Sequence, residues 1–135
     1  MPGVRTTNVY VIVGDRILLI QRTPLDENKP LWWEAPAGHV DVYCEPIDSM
    51  CVRQEALREL EEETGLVVSP YDIEPLPRFS SFRHMAYITR VSPKVMNDVR
   101  LSEEHCDYRW HRIFDPLPKH TRYEVRRFLR DTYNV

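Results

Sequence analysis

Long apolar runs are missing from this 135-residue chain. The longest stretches fall far short of the roughly 20 residues that cross a bilayer, which excludes a membrane-spanning helix. The opening segment, Met1-Pro2-Gly3-Val4-Arg5, lacks the apolar stretch of a secretory signal. Cysteine is scarce: Cys44, Cys51 and Cys106 make an odd set with no Cys-x-x-Cys pair. They read as reduced thiols in a cytoplasmic protein, and a Cys44–Cys51 bridge has no positive support. An excess of basic charge is also missing. Lys and Arg total 18 against 21 Asp and Glu, a net charge of −3. That argues against a dedicated nucleic-acid binder. It leaves open a small phosphorylated substrate, which needs only a few local cations or a metal. Repeats, low-complexity tracts and linkers are absent, so residues 1–135 read as one domain.

What is present is a soluble globular pattern with alternating β and α signals. Val9 to Val13 is strongly β-prone, Gly14-Asp15 looks like a tight turn, and Ile17 to Gln21 completes a hairpin. A polar loop from Thr23 to Pro30 leads to a short aromatic strand, Leu31 to Glu34, broken by Ala35-Pro36-Ala37-Gly38. Asp48 to Thr64 is the strongest helix, with Asp48 or Ser49 as its N-cap and Gly65 where a C-terminal cap belongs. Val52, Ala56 and Leu60 form its apolar stripe. Further strands are expected over Leu76 to Phe82, Met85 to Val91 and Tyr108 to Ile113, and a final helix over Lys119 to Tyr133. The order implies a layered α/β domain with a mixed sheet.

The end of the strong helix is chemically unusual. Arg58-Glu59-Leu60-Glu61-Glu62-Glu63-Thr64-Gly65 puts four carboxylates within five residues. At roughly 100° per residue, Glu59, Glu62 and Glu63 share one side, with Glu55 a turn earlier. Like-charged pairs four apart each cost a few tenths of a kcal/mol, and the helix C-terminus prefers cations. A hard divalent cation would compensate, because Mg²⁺ takes carboxylate oxygens. The bland alternative is a solvated acidic face.

Gly38 together with Arg58-Glu59-Leu60-Glu61-Glu62-Glu63-Thr64-Gly65-Leu66 resembles the signature of the Nudix hydrolases. The second half of that signature matches at every specified position. Trp33 to Asp41, the early hairpin, and Ser102-Glu103-Glu104-His105 followed by Trp110 also look familial. The first half departs from the pattern. Six residues on from Gly38 lies Cys44, with Glu45 one position later. The span from Gly38 to Arg58 is 20 positions (58 − 38) where the pattern has 14, which reads as a six-residue insertion. The first signature Glu is then either a displaced Glu45 or missing.

The resemblance implies a Nudix-type α/β/α sandwich with a mixed β-sheet, its acidic helix facing a cleft. It implies Mg²⁺, with Mn²⁺ as a substitute, held by Glu59, Glu62 and Glu63. Arg58 would orient a carboxylate, and Gly38 would allow close backbone approach. Glu62 or Glu104 would accept the proton of an attacking water, with Glu103 behind them. The implied reaction is cleavage of a phosphoanhydride bond in a nucleotide sugar, ADP-ribose, a dinucleoside polyphosphate or a nucleoside triphosphate. Alternatives on the same fold are a non-catalytic nucleotide sensor and an isoprenoid-diphosphate isomerase, the latter because Cys44 and Cys51 lie near the loop. The implied partner is a small nucleotide, and the chain would be a monomer or homodimer.

Other residues divide between roles. Arg22 is either a phosphate contact or a surface cation. Adjacent Trp32 and Trp33 would face opposite ways, one into the core and the other onto a base; Trp33 is the candidate for substrate binding. Phe79, Phe82 and His84 are similar candidates. His39 and His105 are expected to bond locally. Arg122, Arg126, Arg127 and Arg130 read as a solvated helix face or a subunit contact. The inserted loop, Asp41 to Ser49, is expected to shape the pocket.

Overall fold

The computed structural model describes residues 3–45 and 47–135. Met1 and Pro2 of the N-terminal reading, and Pro46 of the inserted loop, lie outside the described residues. The elements run β1 (Thr6–Val13), β2 (Arg16–Arg22), β3 (Trp33–Glu34), β4 (Ala37–His39), α1 (Met50–Thr64), β5 (Glu74–Pro75), β6 (His84–Arg90), β7 (His105–Arg112) and α2 (Tyr123–Tyr133). Among the described residues no helix is long and apolar enough to cross a membrane.

The sheet runs β3-β2-β1-β6-β5, with β4 added to β1 and β7 to β2. It is mixed: β1 and β6 are parallel from Thr6↔His84 to Ile12↔Arg90, and the other pairs are antiparallel. Gly14, at φ 57°, makes the β1–β2 turn.

Strand alternation builds two cores. Val9 and Val11 of β1, with Leu18 and Ile20 of β2, pack against Val52, Ala56, Leu57 and Leu60 of α1. Their neighbours Tyr10, Ile12, Ile17 and Leu19 pack on the other face against Val125, Phe128 and Leu129 of α2. The result is the α/β/α sandwich expected from the sequence. Ser49 caps α1 by accepting from the Val52 amide at 3.3 Å, and left-handed Gly65 ends it.

Two elements differ from expectation. The segment from Leu76 to Phe82 is not a strand. Pro77 starts a 3₁₀ turn over Pro77–Phe79, because proline fixes φ and offers no ladder donor. A separate two-residue strand, Glu74–Pro75, lies just before the expected segment. The final helix begins at Tyr123 rather than Lys119, because the chain just before it pairs with β3. The Trp33 amide donates to the His120 carbonyl at 2.7 Å, and the Arg122 amide donates to the Trp33 carbonyl at 2.9 Å.

The cysteine expectation is corrected as well. The inserted loop folds back on the start of α1, bringing the Cα atoms of Cys44 and Cys51 to 5.6 Å, and the two form a disulfide. Cys106 alone is a free, exposed thiol.

The strand pairing creates the opening that matters for function. Ile12 and Val13 of β1 pair with β2, but Thr6 to Asn8 pair with β4. Ile20 and Gln21 of β2 pair instead with β3. Strands β1 and β2 therefore diverge, and the segment from Trp33 to His39 fills the gap.

Candidate active site

A cleft of about 750 Å³ opens at this divergence. Its walls include Glu34, Ala37, Gly38, Glu59, Glu63 and Glu104. Glu59 and Glu63 come from one side of α1, Gly38 from β4, and Glu104 from the exposed rim before β7. The backbone of Gly38 runs against Glu59 so closely that a Cβ there would overlap the Glu59 carboxyl group.

Glu63 is only 5% exposed. One carboxylate oxygen accepts the Ala37 amide at 2.9 Å. Burial, with help from the neighbouring charges of Glu34, Glu59 and Glu104, pushes its pKa to about 8 against the pull of the Ala37 hydrogen bond. Burial also raises Glu59, while Arg58 beside it acts in the opposite direction.

Arg58 organises the outer side of the helix. It donates to Glu55 at 3.1 Å, to Glu62 at 2.8 Å and to Glu59 at 3.2 Å, and it meets Asp41 of the inserted loop at 3.0 Å. The Asp41 amide in turn donates to Glu55 at 2.9 Å. The loop is thus held to α1 by Arg58, Glu55 and the disulfide. Glu55 sits below the usual carboxylate range, chiefly through Arg58.

Beside Glu63, Arg22 and Arg122 line the cleft around buried Glu34, whose carboxylate comes within 4.8 Å of that of Glu63. Farther along, His84 bonds Thr6 and Asn8 at 2.7 Å each. Burial lowers its pKa.

The expected residues sort as follows. Gly38, Glu59, Glu63, Glu104 and Arg22 come together in the cleft. Glu62 does not line it. Its side chain is 57% exposed and bonded to Arg58, in a shallow groove with Gln54, Glu61 and Val67. The projection at 100° per residue spreads Glu59, Glu62 and Glu63 over an arc wide enough for one to fall outside the wall. Glu103 and Glu45 are also outside it. Trp33 does not line the cleft; it packs against the α2-side core, with Arg109 over its ring at 5.7 Å. Trp32 faces His120 and Lys29. Phe79 and His84 do line the cleft, whereas Phe82 is exposed beside Arg83. His105 bonds not to a neighbour in sequence but to Glu34 of β3, at 2.9 Å, and the pair lies within 4.8 Å of Glu63.

Arg122 and Arg127 are corrected from a solvated helix face to the cleft lining. Sequence reasoning missed Glu34, though a carboxylate between Trp33 and Ala35 in a short strand was a signal of a buried, partnered charge. It also missed Arg122, because α2 was expected to begin earlier.

A model of the NUDIX domain matches residues 2–132, nearly the whole chain. The chain belongs to the Nudix family. Over 89 residues this Nudix domain is 34% identical to an asymmetrical bis(5'-nucleosyl)-tetraphosphatase of Rattus norvegicus, covering 58% of this chain and 54% of that protein. The chain spans between about a third and about half the length of the curated relatives it matches. Its fold is shared with a MutT Nudix hydrolase of Burkholderia pseudomallei at TM-score 0.67 and 22% identity, over 98% of both chains. It is also shared with an Ap4A hydrolase of C. elegans at TM-score 0.63 and 20% identity, over 98% of this chain and 99% of that one.

Proposed function

We propose that this Nudix domain is a Mg²⁺-dependent hydrolase that cleaves a phosphoanhydride bond in a nucleoside diphosphate joined to a second group. The observation that carries the reading is the convergence of Glu59, Glu63 and Glu104 beside Gly38, with the buried Glu63 carboxyl pushed up to about 8. Such an acid set opposes itself unless a cation is bound, and its donors are the hard oxygens that Mg²⁺ and Mn²⁺ take. Glu59 and Glu63 would hold the ion, with Glu104 at the rim. The ion would supply charge neutralisation of the diphosphate and Lewis acidity.

The remaining steps fall to the chain's own side chains. Glu104 lines the cleft and is open to water, which supports it over Glu62 as the acceptor of the attacking water's proton. Glu62 then serves to hold Arg58, which steadies Glu59. Arg22 supplies positive charge to the phosphates. The likeness to a tetraphosphatase makes dinucleoside polyphosphates the first substrates to try. The isomerase alternative loses support, because Cys44 and Cys51 are bonded to each other.

The test is hydrolysis of a nucleotide panel with Mg²⁺, identifying each product, with Glu59→Gln and Glu63→Gln as controls. Turnover of one compound class that both substitutions abolish is the expected result. No turnover by folded, Mg²⁺-loaded protein would overturn the hydrolase reading in favour of a nucleotide sensor.

A further inference from the structure

The inserted loop is held at its two ends by different means. At the end next to α1, Asp48 bonds Arg53 through both carboxylate oxygens, at 3.0 and 3.1 Å, and accepts the Tyr87 hydroxyl at 3.0 Å. Arg53 also donates to the carbonyls of Pro70 and Ile73 at 2.8 and 3.0 Å. With the Ser49 cap, these contacts fix the start of α1 without help from the disulfide. The other end has less. The Val4 amide donates to the Cys44 carbonyl at 3.2 Å, and the Asp41 amide donates to Glu55 at 2.9 Å. The Asp41 carboxylate meets Arg58 at 3.0 Å and lines the cleft. The Cys44–Cys51 bond cross-links this limb to the first turn of α1.

The two sulfurs differ in access. Cys44 is 1% exposed and belongs to the α1-side core, whereas Cys51 is only partly buried. An incoming thiolate therefore reaches the Cys51 sulfur. It forms a mixed disulfide there, the Cys44–Cys51 bond breaks, and its electron pair leaves on the Cys44 sulfur, which takes up a proton. A second thiol of the same reductant then displaces the Cys51 sulfur and closes the reductant's own disulfide. Two electrons and two protons pass from a dithiol to the protein, and a disulfide oxidant runs the exchange backwards. Two unbonded sulfurs need more room than a bonded pair. The core around Cys44 is close-packed and α1 is held by Asp48, Arg53 and Tyr87, so the limb from Asp41 to Cys44 is the part that gives way.

We infer that Cys44 and Cys51 form a thiol–disulfide switch that sets the order of the cleft rim at Asp41. The oxidised protein holds Asp41 against Arg58 and Glu55, and the reduced protein releases it. The consequence for catalysis rests on the hydrolase reading. A released Asp41 is an unpaired carboxylate at the mouth of the cleft, which repels an anionic substrate. Glu59 and Glu63 stay in place, because α1 carries them.

The test uses the full chain carrying Cys106→Ser, so that only the pair responds. Hydrogen exchange is compared before treatment with a dithiol, after it, and after reoxidation with oxidised glutathione. Reduction should speed exchange at the Asp41 amide by about 10-fold or more, the worth of a hydrogen bond to a charged group, while α1 from Arg53 onward keeps its protection. On a nucleotide that the protein hydrolyses, KM should rise about 10-fold, with kcat and Mg²⁺ affinity changing less than about 2-fold. Reoxidation should restore both readings. Cys51→Ser protein, substituted at the more accessible sulfur, should match the reduced form and ignore the dithiol.

Unchanged exchange at Asp41 on reduction overturns the switch, and so does a Cys51→Ser protein that still responds to the dithiol. A freed Asp41 with an unchanged KM overturns its control of substrate capture. A freed Asp41 in a protein that hydrolyses nothing keeps the switch and sinks the hydrolase reading. Turnover by a protein whose Asp41 and KM are both indifferent to reduction does the reverse.

Discussion

Replacing Gly38 by Ala puts one methyl group where the Glu59 carboxyl lies. Gly38 is not at positive φ, so alanine meets no backbone strain there. The cost is overlap alone. Overpacking by one carbon costs about 1–3 kcal/mol, and the stiffer unfolded chain returns about 0.4–1 kcal/mol. The net loss is therefore about 0–2.5 kcal/mol, small enough for the protein to fold. Activity should suffer more, because Glu59 must swing aside, and a displacement of about 1 Å at a reacting centre costs on the order of 100-fold. Urea unfolding in two backgrounds isolates the cause. With Glu59→Ala the atoms in the way are gone, so Gly38→Ala should become neutral or stabilising by about 0.4–1 kcal/mol. An equal loss in both backgrounds would refute the close approach as the reason for glycine.

Further outcomes follow from the same geometry. The Glu63 carboxyl titrates near 8 folded and near 4.5 ordinarily. Metal-free protein should therefore keep the full contribution of this group below pH 4.5 and lose it as pH rises through 8. The loss is roughly 5 kcal/mol at most, and Glu63→Gln should flatten the curve; parallel pH curves for the two proteins would refute it. Arg58→Ala leaves Asp41, Glu55, Glu59 and Glu62 without their shared partner and should cost about 1–3 kcal/mol in denaturant unfolding, with Lys restoring only part. Cutting the Cys44–Cys51 bridge with a dithiol should cost about 2.5 kcal/mol, the value for so short a loop, and Cys44→Ser protein should show no response to the same dithiol. Shortening the loop from Asp41 to Ser49 should alter substrate preference more than Mg²⁺ affinity, so an unchanged substrate profile would refute its role in the pocket.

Much of the fold was legible because its signals were local. The β1–β2 hairpin and the cap residues of α1 depend on neighbours in sequence, and both elements appeared where expected. The chain from Leu76 to Phe82 was misread because its apolar residues outweighed Pro77. The start of α2 was misread because pairing of His120 and Arg122 with Trp33 is a long-range event. The site divided along the same line. Glu59, Glu63 and Gly38 follow from one motif. The place of Glu62 depends on how the helix is rotated against the sheet, and Arg58 binds it on the outside. Glu34 and Arg122 meet only in the folded chain, so nothing in either segment alone pointed to the other. The cysteine pair was invisible for the same reason, since its closure depends on how the inserted loop turns back.

The parallel pairing of β1 with β6 has a consequence for how the protein is made. Both helices pack on a floor whose central pair joins Thr6–Ile12 to His84–Arg90. During synthesis β1 leaves the ribosome with its long-range partner still unmade. At about 5–20 residues per second, the intervening chain takes on the order of ten seconds to emerge. Until α1 emerges, Val9 and Val11 have only the β2 hairpin for shelter, a structure too small to be stable alone, and the face carrying Tyr10 and Ile12 waits longer still for α2. Translation speed over the α1 segment should therefore govern yield, and holdase chaperones should meet this chain early.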